Sequence, residues 1–189
     1  MPSVNYFFSV IPIFAEGSRF ATQYEYSMSS ASFSVSTLSP QLLSVLSDNL
    51  LTKSKGGSPT ECSTAELLGN SKIVGVYFSG HWCGPCRQFT PQLAQMYLQA
   101  KKENLPFEVI FCSSDHDEDE FKSYYQESMP WLAIPYQDSK REDLQGRHQV
   151  NGIPRLIIFD AATGDIIENQ ARAGGVDLVR SWLQRTSKL

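Results

Sequence analysis

The run Ile73-Val74-Gly75-Val76-Tyr77-Phe78-Ser79 and the four residues after it constrain this chain more than anything else in it. A β-rich stretch with no alternation of apolar and polar residues reads as a strand buried on both faces. Such a strand needs a sheet covered by helices on both sides. The next periodic segment supplies one cover: Phe89, Leu93, Met96, Tyr97 and Ala100 fall on one face of a helix that ends at Lys101-Lys102. Phe107 to Phe111 is a second apolar strand. Strand, helix and strand in that order make a βαβ unit, for which a right-handed parallel crossover is strongly preferred.

At the junction of the first strand and its helix lies Trp82-Cys83-Gly84-Pro85-Cys86. A thiolate at a helix start meets unpaired backbone N–H groups and the positive end of the helix dipole, which lowers its pKa below the ~8.5 of a free thiol. Cys83 is therefore the expected nucleophile. Cys86, one turn further in and more buried, is placed to attack a mixed disulfide formed at Cys83, and so reads as the resolving thiol. Gly84 lets a substrate approach the backbone, and Pro85 fits the first turn, where a missing N–H costs little. Two cysteines spaced this way also begin zinc knuckles, but there is no second pair: Cys62 and Cys112 are isolated, and His81 is too near the motif to complete a tetrahedron. No metal and no cofactor is expected; Cys62 and Cys112 read as inert.

The remaining chain is organised around this unit. Of its 189 residues, 41% are hydrophobic and 19% charged, which suits one soluble domain. A net charge of −4 without a basic run gives no footprint for nucleic acid, and no apolar run is long enough to span a membrane. Residues 1–37 hold three charged residues and a serine tract, and are expected to form a flexible extension; 38–189 are expected to be the domain. Tyr6 to Ala15 has the apolar character of a signal-peptide core, but Pro12 interrupts it and no Lys or Arg precedes Arg19. Ser39 and Pro40 signal the start of a helix carrying Leu42, Leu43, Leu46 and Leu50, ended by Lys53, Lys55, Gly56 and Gly57. Ser63 and Glu66 suggest a capping box for a short helix stopped by Gly69 and Asn70. The acidic stretch from Asp115 to Glu120 reads as a helix start carrying Phe121, Tyr124 and Tyr125. Ile153–Phe159 and Ile166–Glu168 flank a hairpin turn, and Val176, Val179, Trp182 and Leu183 mark a last helix.

The motif Trp82-Cys83-Gly84-Pro85-Cys86, together with Tyr77-Phe78-Ser79-Gly80-His81, Arg87-Gln88-Phe89-Thr90-Pro91 and Met129-Pro130-Trp131-Leu132-Ala133-Ile134-Pro135, resembles the thioredoxin superfamily in its tryparedoxin and nucleoredoxin branch, over about residues 62 to 180. The resemblance implies an α/β thioredoxin-like fold, with a central mixed β-sheet flanked by helices behind the N-terminal extension. It implies a cis-proline at Pro154 facing the dithiol, with the Ile153 backbone exposed to pair with an extended substrate strand. It offers Asp115 as proton acceptor for Cys86, against a plain helix cap; Trp131 as a shaper of the substrate face, against a core tryptophan; and Arg172 as a contact for an acidic partner or a glutathione-type dithiol, against a surface ion pair. The chain departs from the branch at Gly84, where a proline is usual, which leaves reduction potential and donor open.

The implied activity is that of a thiol–disulfide oxidoreductase, a protein-disulfide reductase acting on disulfide-containing proteins and re-reduced by a dithiol or a reductase. Two other classes remain: a redox-dependent binding protein of nucleoredoxin type, and a secretory oxidase or isomerase, which would require a signal peptide. The cysteine pattern favours a reducing compartment, the cytoplasm and with it the nucleus.

Overall fold

The computed structural model describes residues 38–53 and 58–186. The expectations for residues 1–37, and for the turn at 55–57, lie outside the described residues. The elements run α1 (Pro40–Val45), β1 (Asn49–Thr52), β2 (Thr60–Ser63), α2 (Thr64–Leu68), β3 (Ile73–Ser79), α3 (Gly84–Lys102), β4 (Phe107–Ser113), α4 (Glu118–Ser128), β5 (Leu132–Ala133), α5 (Lys140–Arg147), β6 (Arg155–Asp160), β7 (Ile166–Glu168) and α6 (Val176–Arg185).

The seven strands form one mixed sheet in the order β2-β1-β5-β4-β3-β6-β7. β3 lies at its heart, parallel to β4 and antiparallel to β6. All seven β3 residues are buried, as the unbroken apolar run requires. Ile73 and Tyr77 point to one face, among Leu93 and Met96 of α3, Phe121 and Tyr125 of α4 and Trp182 of α6. Val74, Val76 and Phe78 point to the other, among Leu42, Leu68 and Leu144 of the opposite helices. Each such side chain, fully buried, contributes about 1.5–3 kcal/mol, so the strand that ends at the dithiol loop is firmly held from both faces. The β6–β7 hairpin closes through Gly164 at φ 80°, a left-handed conformation suited to glycine. Among the described residues no helix is long and apolar enough to cross a membrane.

Several local expectations change. The helix at Ser39 ends at Val45, and Leu50 belongs to β1, paired with Cys62 of β2. Ser47 and Asp48 interrupt the helical spacing, and strand pairing with a partner twelve residues on takes over. Lys53, read as a helix end, instead leaves β1 and donates to the carbonyl oxygens of Tyr125, Gln126 and Met129, capping the C-terminal turn of α4. Ser63 is the N-cap of α2 but makes no side-chain capping bond; Thr64 Oγ1 instead donates to Ser47 O at 2.5 Å. The strand expected from Ile153 starts at Arg155, leaving Ile153 and Pro154 in the loop before it.

Candidate active site

β3 and β4 end level with each other, Ser79 opposite Ser113, and the site is built at this carboxyl end of the parallel pair. After Ser79 the chain turns sharply: the Cys83 N–H donates to Gly80 O at 3.1 Å, and the His81 N–H donates to Asp115 Oδ1 at 2.5 Å. Ser113 Oγ donates to the other oxygen of Asp115 at 2.7 Å, so a buried carboxylate at the end of β4 anchors the loop that leaves β3. Burial raises the Asp115 carboxyl above its ordinary value, opposed by the Ser113 and His81 hydrogen bonds. Asp115 is not the helix cap: that position is Asp117, whose side chain accepts from the Glu120 N–H. Nor do the hydrogen bonds of its carboxylate run to Cys86; they run to His81 and Ser113.

Cys83 is the N-cap of α3, and its Sγ accepts from the Cys86 N–H at 3.2 Å. Cys83 and Cys86 are joined by a disulfide. Cys86 is fully buried, while Cys83 keeps 5% of its surface, less than the open helix start the sequence suggests. That remnant faces a groove of about 440 Å³ whose floor is Cys83, Gly84 and Pro85, with Trp82 and Ser114 on one wall and Val150 to Ile153 on the other. A Cβ built on Gly84 would meet nothing within 4 Å, so the space over the helix start is open to an incoming chain. The Ile153–Pro154 peptide is cis, and the Ile153 carbonyl oxygen lies 3.8 Å from Cys83 Sγ.

The other residues singled out in the sequence divide. Trp82 is half exposed, and its Nε1–H donates to Ser114 O at 2.9 Å. Trp131 is a core residue, packed edge-on to Tyr77 and Tyr97 at 5.9 and 5.7 Å, and does not border the groove. Arg172 is exposed and forms no ion pair among the described residues; it follows Ala171, whose N–H donates to Leu156 O near the same end of the sheet. Cys112 is buried on β4, with Sγ donating to Arg141 O at 3.5 Å, and burial pushes the thiol up to about 12. Cys62 is a free, half-buried thiol on the edge strand β2.

Sequence reasoning missed two features. Tyr77, Ser79, Thr90 and Tyr124 join their hydroxyls in a buried cluster, with Tyr77 to Thr90 at 2.8 Å and Ser79 to Tyr77 at 3.0 Å. Burial is the main cause raising the Tyr77 hydroxyl pKa. Thr90, four residues after Cys86 on the same helix, carried a signal in its i,i+4 spacing; Tyr124 carried none. The second is His116, whose ring stands 5.2 Å from that of Trp82.

Residues 70–166 match the model of the thioredoxin-like family. Bovine (Bos taurus) nucleoredoxin is 48% identical over 115 residues, 58% of this chain and 26% of that protein. Tryparedoxin of Trypanosoma brucei brucei is 45% identical over 127 residues, 66% of this chain and 81% of its own length. The structure of a tryparedoxin II complexed with glutathionylspermidine superposes with a TM-score of 0.60 at 37% identity, covering 70% of this chain and 87% of that one. The match to bovine nucleoredoxin thus spans about a quarter of that protein, whereas tryparedoxin is covered over most of its length.

Proposed function

The chain belongs to the thioredoxin-like family, in its tryparedoxin- and nucleoredoxin-like branch, and on that premise we propose that it is a protein-disulfide reductase working through Cys83 and Cys86. The observation that carries the reading is the Cys83–Cys86 disulfide at the start of α3, 3.8 Å from the carbonyl of Ile153 before a cis-proline, on the floor of an open groove.

In the reduced protein the Cys83 thiolate is stabilised by the Cys86 N–H and the N-terminal end of α3. It attacks one sulfur of a substrate disulfide; that S–S bond breaks and the departing sulfur takes up a proton. Cys86 gives up its proton and attacks the Cys83 sulfur, releasing the second substrate thiol and leaving the Cys83–Cys86 disulfide. Two electrons and two protons pass to the substrate, and a dithiol donor or a reductase returns them. Trp82, Gly84, Pro85 and Ile153, which line the groove, form the binding surface, with Pro154 next to them holding the cis bond and the Ile153 backbone pairing to an extended substrate segment. Asp115 acts by fixing the His81 turn, and Trp131 by filling the core. Arg172, exposed and without an ion pair among the described residues, contacts acidic groups of a partner. The tryparedoxin II structure is complexed with glutathionylspermidine, which favours a glutathione-type thiol as donor here. The cytoplasm, and with it the nucleus, is the compartment this chemistry suits.

The likeness to nucleoredoxin favours one second reading, a redox-dependent binding protein in which the same groove captures a partner and turnover is secondary. Reduction of insulin disulfides separates the two, since only the reductase turns over. Trapping with Cys86→Ser tests the site itself: mixed disulfides at Cys83 are expected in a cell extract, and their absence would refute the assignment.

A further inference from the structure

We propose that His116 is a positioning residue for Trp82, fixing one wall of the redox groove and so setting how tightly a protein disulfide is gripped. The inference rests on the oxidoreductase reading of that groove. Trp82 is 50% exposed and sits on a turn, with only the pyrrole edge of its indole close against the Gly80 backbone. Its tether is the Nε1–H bond to Ser114 O, 2.9 Å, at one edge of the ring. The second restraint is His116, whose ring lies 5.2 Å from the indole at an interplanar angle of 35°.

His116 is itself held. Its Nδ1 lies 3.3 Å from Glu120 Oε2, and its backbone N–H donates to the same oxygen at 3.2 Å. The Glu120 N–H in turn donates to the Asp117 N-cap at 2.8 Å. A glutamate in the first turn of α4 thus reaches back to the residue preceding the cap, much as in a capping box. The acidic stretch that the sequence presents as a solvated helix start is therefore also the mount for an aromatic ring on the redox face. His116 does not line the groove, and it acts through Trp82. Since a ring pair of this kind is weak, its loss should change grip by about two- to tenfold and leave the thiol chemistry in place.

The test compares the wild type with His116→Ala and His116→Phe, the second restoring a ring without the imidazole. Insulin reduction with excess dithiothreitol gives KM and kcat, and acrylamide quenching of tryptophan emission reports Trp82, because Trp131 and Trp182 are buried at 2% and 3% exposure. Expected for His116→Ala is a KM raised about two- to tenfold with kcat changed less than about twofold, and a more quenchable indole; His116→Phe should recover both. An unchanged KM or unchanged quenching in His116→Ala, or failure of the phenylalanine to rescue, would overturn the proposal. A wild type that reduces no insulin would sink the reductase reading and this inference with it, an outcome distinct from normal turnover with KM indifferent to His116.

Discussion

Two thiol regions lie side by side at the same end of the sheet and sit in opposite surroundings. β3 carries the chain to Cys83 and Cys86; β4, its parallel neighbour, carries Cys112 opposite Phe78. Both strands are fully buried. The difference is where each sulfur falls relative to the strand end. Cys112 stops inside the strand and lies under α5, where its Sγ donates to a backbone carbonyl and burial pushes its pKa up. Cys83 lies four residues past the end of β3, in the loop that becomes a helix, where a backbone N–H points at the sulfur and a groove opens above it. Reactivity here follows from position along a strand–loop–helix junction, and the carboxyl ends of parallel strands are where such junctions gather.

The sharpest way to break the contrast is to remove one sulfur at a time. Cys83→Ser should abolish both insulin reduction and trapping, whereas Cys86→Ser should abolish turnover and keep trapping, because the first attack needs only Cys83. A Cys83→Ser protein that still trapped substrates would hand the nucleophile's role to another thiol. Next in size is the difference in alkylation of the reduced wild type near neutral pH. A thiol held near 12 has on the order of a thousandfold less thiolate than a free one, so iodoacetamide should label Cys83 long before Cys112, as peptide mapping would read. If Cys86 or Cys112 were labelled first, the geometric argument would fail.

A third prediction concerns Asp115, which joins the two regions by tying the end of β4 to the loop after β3. Its folded pKa is raised, so the native state holds that proton more tightly than the unfolded state, and stability is lost as pH rises from the ordinary carboxyl value of 3.8 through the folded pKa. Asp115→Asn has no such charge to bury. Urea unfolding at pH 4 and pH 7 should show the variant gaining on the wild type at the higher pH; a difference that stayed constant or moved the other way would contradict the burial argument. The smallest effect belongs to Gly84→Ala. The added methyl meets nothing within 4 Å, so Tm should hold within about 2 °C while KM for insulin rises a few-fold as the groove floor is crowded. A Tm drop well beyond that would mean the glycine serves the backbone and not the substrate.

Much of this was legible in the sequence, and the parts that were not share a cause. The unbroken run Ile73–Ser79, the helix face from Phe89 to Ala100 and the motif between them marked β3, α3 and the place of the two cysteines at their junction, because each signal is local. The β1–β2 hairpin was invisible: Leu42, Leu43, Leu46 and Leu50 fit a helical period, and only pairing with residues 60–63 shows that Leu50 is in a strand. α5 escaped because it buries a single apolar residue, Leu144, and one residue has no period. The cis bond at Pro154 came from family resemblance alone, as did Trp131, whose place in the core and not in the groove depends on Tyr77 and Tyr97 from two other elements. His116 looked like one polar residue in an acidic run until the folded chain set it against Trp82.

The hairpin has a consequence for where this protein can be cut. The family match begins at residue 70, yet β1 lies alongside β5, Leu51 opposite Ala133, and Lys53 closes the end of α4. A fragment trimmed to the matched boundary would bare the backbone edge at Leu132–Ala133, beside Ile134 that is now wholly buried. An uncovered apolar edge is a template for sheet-to-sheet association between copies. The segment that matches the family model is thus shorter than the sheet it belongs to, and the guard on that edge is supplied by residues outside the matched boundary.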